Sequence, residues 1–256
     1  MRIRFEFELP DGRLQMPVHY NHLVQAMIYK NISPQLADFL HSKGFFYEKR
    51  QFKLFTFSKL MGKYRIQKDN SHHSRIVFYS PIHFFLSAPF GQILQEFANQ
   101  MVRGTTITLG GNLLNLCSVQ VLLPPVFKHK ITRIKMLSPI SVHSTVAKED
   151  GSKKTYFYLP TEKEFSELVR KNLLKKYVSF LETYPEDTEL SLRPLFFSEK
   201  KNFHLVIYKD HVVKGYSGIY ELVGSRELKQ FAYDSGLGER NAQGFGMFDI
   251  WQKNEK

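Results

Sequence analysis

Val119-Gln-Val-Leu-Leu-Pro-Pro-Val126 decides how this chain divides. Adjacent prolines lack backbone N–H groups and lock φ, so the strand running into them must stop. Pro124-Pro125 is therefore the expected boundary between one unit at 1–124 and another at 125–256. Upstream, Arg2-Ile-Arg-Phe-Glu-Phe-Glu-Leu9 alternates as a half-buried strand, closed by the Pro10-Asp-Gly12 turn. Asn21 is placed to cap a helix running to Ile32. Ser33 and Pro34 start a second, short helix that ends before Gly44. Lys53–Ser58, Arg75–Tyr79 and Ile82–Leu86 read as β. Pro89 opens a helix with Ile93, Leu94, Phe97, Met101 and Val102 inward, and Thr105–Leu109 and Leu113–Leu123 are strands about Gly110-Gly111.

Downstream the rhythm restarts. Lys130–Leu137 is a strand, and Val142–Ala147 with Thr155–Leu159 form a hairpin about Glu149-Asp-Gly151. Thr161-x-x-Glu164 is a capping box opening a long helix. Its expected apolar face is Phe165, Leu168, Leu173, Leu174, Val178 and Leu181, with Lys163, Arg170, Lys171, Lys175 and Lys176 on the rest. Strands at Glu189–Phe197, Phe203–Tyr208 and Lys214–Leu222, a helix at Ser225–Tyr233 and a strand at Phe245–Trp251 complete the half. Each half thus reads strand, helix, strands, helix, strand. The fold class expected is α+β, two tandem ferredoxin-like (RRM-like) domains, each a split β-α-β unit.

The 256 residues carry 36 Lys+Arg against 24 Asp+Glu, a net charge of +12. Such a surplus either favours a polyanion partner or only keeps the chain soluble. Twenty-three Phe and 13 Tyr exclude disorder as the main state. No stretch near 20 residues lacks charge, and Met1-Arg-Ile-Arg-Phe is no signal peptide, so neither a membrane span nor a membrane partner is expected and the cytoplasm is the default location. With Cys117 alone, neither an intramolecular disulfide nor a Cys-based metal cage can form.

Gly236-Leu-Gly-Glu-Arg-Asn-Ala-Gln-Gly-Phe-Gly246 is the most distinctive string. It lacks the third glycine of a dinucleotide fingerprint and lies between a helix and a following strand, the reverse of that motif, which argues against a nucleotide-dependent enzyme. Gly236, Gly238, Gly244 and Gly246 would let backbone N–H groups approach phosphates, with Arg240 adding charge; the bland alternative is a tight structural turn. His19-x-x-His22 is half a metal spacing with nothing to complete it, and His72-His73 sits in a polar loop, so no metal is expected. His41 differs: it ends a short helix, a setting that suits a proton donor. Lys43, Lys49, Arg50 and Lys53 interleave with Phe45, Phe46, Tyr47 and Phe52 after it, a mixture suited to single-stranded nucleic acid or to a strand whose rings face the core.

Pro17-Val-His-Tyr-Asn-His22, Met27-Ile-Tyr29, Leu36-Ala-Asp-Phe-Leu-His41, Lys53-Leu-Phe-Thr-Phe-Ser58, Leu137-Ser-Pro-Ile140 and the glycine loop before the last strand occur in an order that spans the chain. Together they resemble the CRISPR-associated endoribonucleases that cut precursor repeat RNA, the sixth Cas family of the RAMP superfamily. The resemblance implies tandem ferredoxin-like domains about a basic cleft, and cleavage of CRISPR repeat RNA without metal or cofactor. It implies Tyr29, His41 and Lys53 as the catalytic set, with Lys43 and Lys49 as competitors for the cation, and the glycine loop, Lys43, Lys49 and Arg50 as RNA contacts. A CRISPR effector complex and a second copy of the chain are the further partners it implies. The alternative is a non-catalytic RNA-binding subunit of such a complex, against which the Tyr29, His41 and Lys53 set argues. In the implied chemistry the RNA 2′-OH attacks the adjacent phosphate, leaving a 2′,3′-cyclic phosphate and a 5′-hydroxyl. His41 serves as acid, Tyr29 as orienting group or base, and Lys53 as the stabiliser of phosphorane charge.

Overall fold

The computed structural model describes residues 1–68, 74–104, 107–147 and 151–252. The first half contains β1 (Arg2–Glu8), β2 (Arg13–Pro17), α1 (Asn21–Lys30), α2 (Pro34–Asp38), β3 (Phe45–Tyr47), β4 (Arg50–Phe52), β5 (Thr56–Phe57), β6 (Met61–Gln67), β7 (Arg75–Ser87), α3 (Gly91–Arg103), β8 (Ile107–Leu109) and β9 (Asn112–Leu122). The second contains β10 (Ile131–Met136), β11 (His143–Ala147), β12 (Lys153–Phe157), α4 (Lys163–Leu181), β13 (Leu190–Leu195), α5 (Glu199–Asn202), β14 (Phe203–Tyr208), β15 (His211–Tyr216), β16 (Ile219–Gly224), α6 (Arg226–Ser235) and β17 (Phe248–Ile250).

Both halves build the same antiparallel sheet. In the first, β9, β1, β7 and β6 lie side by side; in the second, β17, β10, β16 and β13 do. Counting only the strands that flank the helices, each order is fourth-first-third-second, the ferredoxin-like arrangement. Alternation along β1 buries Ile3, Phe5 and Phe7, and Phe97 of α3 meets the Phe5 ring edge-on at 4.9 Å. A second core gathers Phe165 of α4, Tyr220 of β16, Phe231 of α6 and Phe248 of β17.

Two of the ties between the halves are buried in the cores. Phe52 and Leu54 of the first half lie in the second core. Arg2 is fully buried, donating from Nη1 to Phe248 O and from Nη2 to Tyr233 O at 2.9 Å each, with its guanidinium 3.5 Å over the Tyr233 ring. Such ties give any groove between the halves fixed walls.

Several expected boundaries move. Arg75–Tyr79 and Ile82–Leu86 are one strand, β7, because β1 and β2 pair along one continuous edge. Lys53–Ser58 is strand only at Thr56–Phe57, since Leu54 has φ +48° and leaves the extended region. Lys214–Leu222 breaks at Ser217-Gly218, and Phe245–Met247 belong to the loop before β17. Thr161 forms no capping box: α4 starts at Lys163 behind Glu162, whose carboxylate accepts from the Leu159 N–H. Val102 and Leu181 are exposed, so the inward faces of α3 and α4 lie slightly round from the expected ones. Asn21 is the first residue of α1 and not its cap, and Pro89 precedes a helix that starts at Gly91. Thr105, His72-His73 and most of the Glu149–Gly151 turn fall outside the described residues. No helix among the described residues is long and apolar enough to cross a membrane.

Candidate nucleic-acid interface

Three polar residues one helical turn apart, Asn21, Gln25 and Tyr29, share a face of α1. Asn21 Nδ2 donates to Gln243 O at 2.8 Å, and Gln25 Nε2 donates to Ala242 O at 2.6 Å. The face of the helix that ends at Tyr29 is thereby docked on the glycine loop. Tyr29 lies edge-on to Phe55, with ring centroids 6.0 Å apart, and its hydroxyl is buried without a hydrogen-bond partner. Burial, with Tyr208 adding to it, pushes this phenol well above its usual 10, so it stays protonated at neutral pH.

Lys53 follows β4 and reaches over the same ring, its Nζ 5.4 Å from the Tyr29 centroid. It is half-buried, and burial followed by repulsion from Lys209 lowers its pKa. Lys43 and Lys49 are exposed, at the end of the helical turn and at the β3–β4 tip. Of the three candidate cations, Lys53 is the one placed against Tyr29.

His41 sits where α2 widens into a π-turn, Phe39–Lys43, closed by Gly44 at φ +59°. A Cβ at Gly44 would stand 2.6 Å from Phe52 O, so the chain can fold back onto β4 only with glycine there. The imidazole is exposed, and its backbone carbonyl accepts from Gln51 Nε2 at 3.3 Å. Gln51, Lys53, Gln25, Arg240, Ala242 and Gln243 line one pocket of about 210 Å³. The structure thus puts Lys53 and the loop around one cavity, with the Tyr29 ring against Lys53 and the His41 backbone tied to Gln51 in its wall.

Three of the four loop glycines have their backbone donors engaged within the protein, while Gly238 lines the pocket. Gly236, Gly244 and Gly246 donate their N–H groups to Ala232 O, Asn241 O and Pro139 O. A Cβ at Gly246 would lie 1.9 Å from Leu237 O, and one at Gly244 2.5 Å from the Phe57 ring. Gly244 and Gly246 are glycine because the loop is pressed between the two halves, leaving the run from Gly238 to Gln243 as its pocket-facing edge. Arg240 is half-buried, with φ +58° and Nη1 donating to Gln243 Oε1 at 3.3 Å.

Beneath the loop is a residue that was expected on a solvated face. Lys176 of α4 is buried, donating from Nζ to Gly236 O, to Asn241 Oδ1 at 3.0 Å and to Gly238 O at 3.4 Å. Asn241 Nδ2 in turn donates to Leu237 O and Phe245 O. Burial is the main force that pushes Lys176 down to about 7, with Arg50 adding to it and Glu239 opposing. Arg50, expected as an RNA contact, is ion-paired with Glu239, which also receives the His143 N–H at 3.2 Å and faces the His143 imidazole. Burial opposes the Glu239 charge, but His143 and Arg50 outweigh it and hold the carboxyl below its ordinary range.

Sequence reasoning missed Gln25, Asn172, Lys176 and Glu239. A signal existed for two of them. Phe165, Val169, Asn172, Leu173, Lys176 and Tyr177 form the buried stripe of α4 at helical spacing, so Asn172 and Lys176 are polar residues on an apolar stripe. Among the described residues, no group of three or more His, Cys, Asp or Glu is placed to hold a metal ion.

Family comparisons meet this geometry over nearly the whole chain. The family model "CRISPR-associated protein Cas6, N-terminal" matches residues 15–120, and "CRISPR associated protein Cas6, C-terminal" matches residues 122–250. The chain belongs to the Cas6 family. It is 28% identical over 262 residues to "CRISPR-associated endoribonuclease Cas6 1" of Methanocaldococcus jannaschii, covering 100% of this chain and 95% of that one. It is 27% identical over 255 residues to "CRISPR-associated endoribonuclease Cas6" of Pyrococcus furiosus, covering 97% and 88%. Among solved structures, "CRISPR associated protein Cas6" superposes with a TM-score of 0.77 at 26% identity, covering 98% of this chain and 99% of that one.

Proposed function

We propose that this Cas6 chain is an endoribonuclease that cuts precursor CRISPR RNA within the repeat, by attack of the 2′-OH on the adjacent phosphate and without metal or cofactor. The observation that supports the reading is the Lys53 ammonium, which lines the pocket edged by Arg240 and lies over the Tyr29 ring. RNA supplies its own nucleophile, so the protein's task is to align it and to manage protons and charge. Tyr29, protonated because it is buried, orients the reacting group by donating a hydrogen bond. Lys53 stabilises charge on the phosphorane oxygens. His41, on its exposed turn, protonates the 5′-oxygen leaving group, and solvent water takes the proton that the 2′-OH loses as its O–P bond forms and the P–O5′ bond breaks. The products are a 2′,3′-cyclic phosphate and a 5′-hydroxyl.

Arg240, Arg50, Lys43 and Lys49 extend a basic track between the two units, which divide at Pro124-Pro125. The glycines serve it by giving the loop its shape. The guide would pass to a CRISPR effector complex, and the reaction belongs in the cytoplasm, where the transcript is made. The test is cleavage of a cognate repeat RNA in EDTA. One cut is expected, abolished by a 2′-deoxy substitution immediately upstream while binding persists. A requirement for Mg²⁺, or cutting of the deoxy substrate, refutes the mechanism. Binding with no cutting in single-turnover conditions would make the chain an RNA-binding subunit.

A further inference from the structure

A second cavity, of about 400 Å³, adjoins the first and shares Arg50, Asn172, Gly238 and Glu239 with it. The two thus lie on either side of the Arg50–Glu239 pair, with Lys53 lining the first and α4 lining the second. Asn172 stands in the wall between them. It is 5% exposed, and its Oδ1 is buried with no hydrogen-bond partner. A buried acceptor left unpaired keeps its full desolvation penalty, and folded proteins rarely carry one without a use. Leucine or alanine would sit on this apolar stripe of α4 without that cost.

The surroundings say what the missing partner is. Lys171 and Lys175 of α4 line the second cavity together with Ser144 and His143. Lys175 Nζ lies 5.8 Å over the Tyr47 ring. The one carboxylate lining the cavity, Glu239, is spent on Arg50 and His143. Lys175, an aromatic ring and an amide short of a donor match one ligand chemistry: a nucleotide whose base edge offers an N–H and whose phosphates meet Lys175 and also Lys171, whose pair with Glu167 at 3.4 Å is solvent-exposed and exchangeable.

We infer that this cavity holds one unstacked nucleotide of the repeat RNA, with the Asn172 amide reading its base edge and Lys171 and Lys175 taking the flanking phosphates. The inference rests on the repeat-RNA reading above and adds a specificity-determining residue to it.

The experiment measures binding of uncleavable 2′-deoxy repeat RNAs, carrying single base changes at each position, to wild type, Asn172→Leu and Asn172→Ala, with urea unfolding of all three. Wild type should show a position where a base change weakens binding about 5- to 100-fold. Both variants should bind the unchanged repeat weaker by the same factor, lose the penalty at that position alone, and unfold no earlier than wild type. Variants that bind every RNA like wild type, or that lose affinity equally at all positions, overturn the assignment. So does destabilisation of both variants, which would make Asn172 a structural residue. If wild type prefers no repeat over a scrambled RNA, the repeat-RNA reading itself fails, and that result is separable because it does not involve Asn172.

Discussion

Replacing Lys176 with Met removes a buried ammonium and leaves Gly236 O, Gly238 O and Asn241 Oδ1 without its donors. Two opposing effects follow. Each deserted acceptor costs about 1–3 kcal/mol. Against that, Met spares the cost of charging a buried amine: a pKa brought from 10.5 to about 7 corresponds to about 5 kcal/mol at 1.36 kcal/mol per unit. The balance depends on pH, with a definite sign. Below about 7 both folded and unfolded chains hold the proton, and the full penalty is present. Between about 7 and 10.5 the unfolded chain holds more protons than the folded one, so wild-type stability rises with pH. The Met variant has no such group, and the other titrations cancel in the difference. Urea unfolding at pH 6 and pH 9 should therefore show wild type gaining about 2–3 kcal/mol over Lys176→Met, most of it above pH 7. A difference that stays flat across that range, or shrinks as pH rises, would refute the assignment of a low-pKa amine beneath the loop.

Three other outcomes are expected. Gly246→Ala forces a Cβ against Leu237 O at a residue of φ +78° and should cost about 3 kcal/mol or more in chemical denaturation; an unchanged midpoint would mean that the loop repacks freely. Glu239→Gln breaks the pairs with Arg50 and His143 and should destabilise at pH 7. Because the Glu239 pKa is lowered in the fold, the gap between wild type and variant should close as pH drops below about 4.5, and a gap that persists at low pH would show that the charge is not its source. The double variant Lys43→Ala, Lys49→Ala should reduce the slope of log affinity for repeat RNA against log salt by about 0.7 for each lysine that meets phosphate, and an unchanged slope would take both residues off the track.

Periodicity and turn chemistry made much of the architecture legible. The alternation of Arg2–Glu8, the Ser33 cap and the turn at Gly110-Gly111 all depend on contacts within a few residues, and strands and helices appear there. The repeated strand-helix-strand order implied the same sheet twice, since each helix must return over its own sheet. Tyr29, His41 and Lys53 entered as candidates through motif order alone. Which of Lys53, Lys43 and Lys49 lies against Tyr29 was not legible there, because it turns on how β3 and β4 fold back. The glycine loop changed most. Its composition suits a phosphate cradle or a compressed turn equally well, and only the approach of Phe57, Pro139 and Leu237 shows what the missing Cβ atoms make room for. Asn172 and Lys176 follow the same logic from the opposite side. Helical spacing places them on the buried stripe, but a polar side chain there is resolved by whatever lies across the interface, and for Lys176 that partner is a loop 60 residues further along the chain. Local sequence encodes the elements because their hydrogen bonds are local; the worth of a buried charge is set by the surface folded over it.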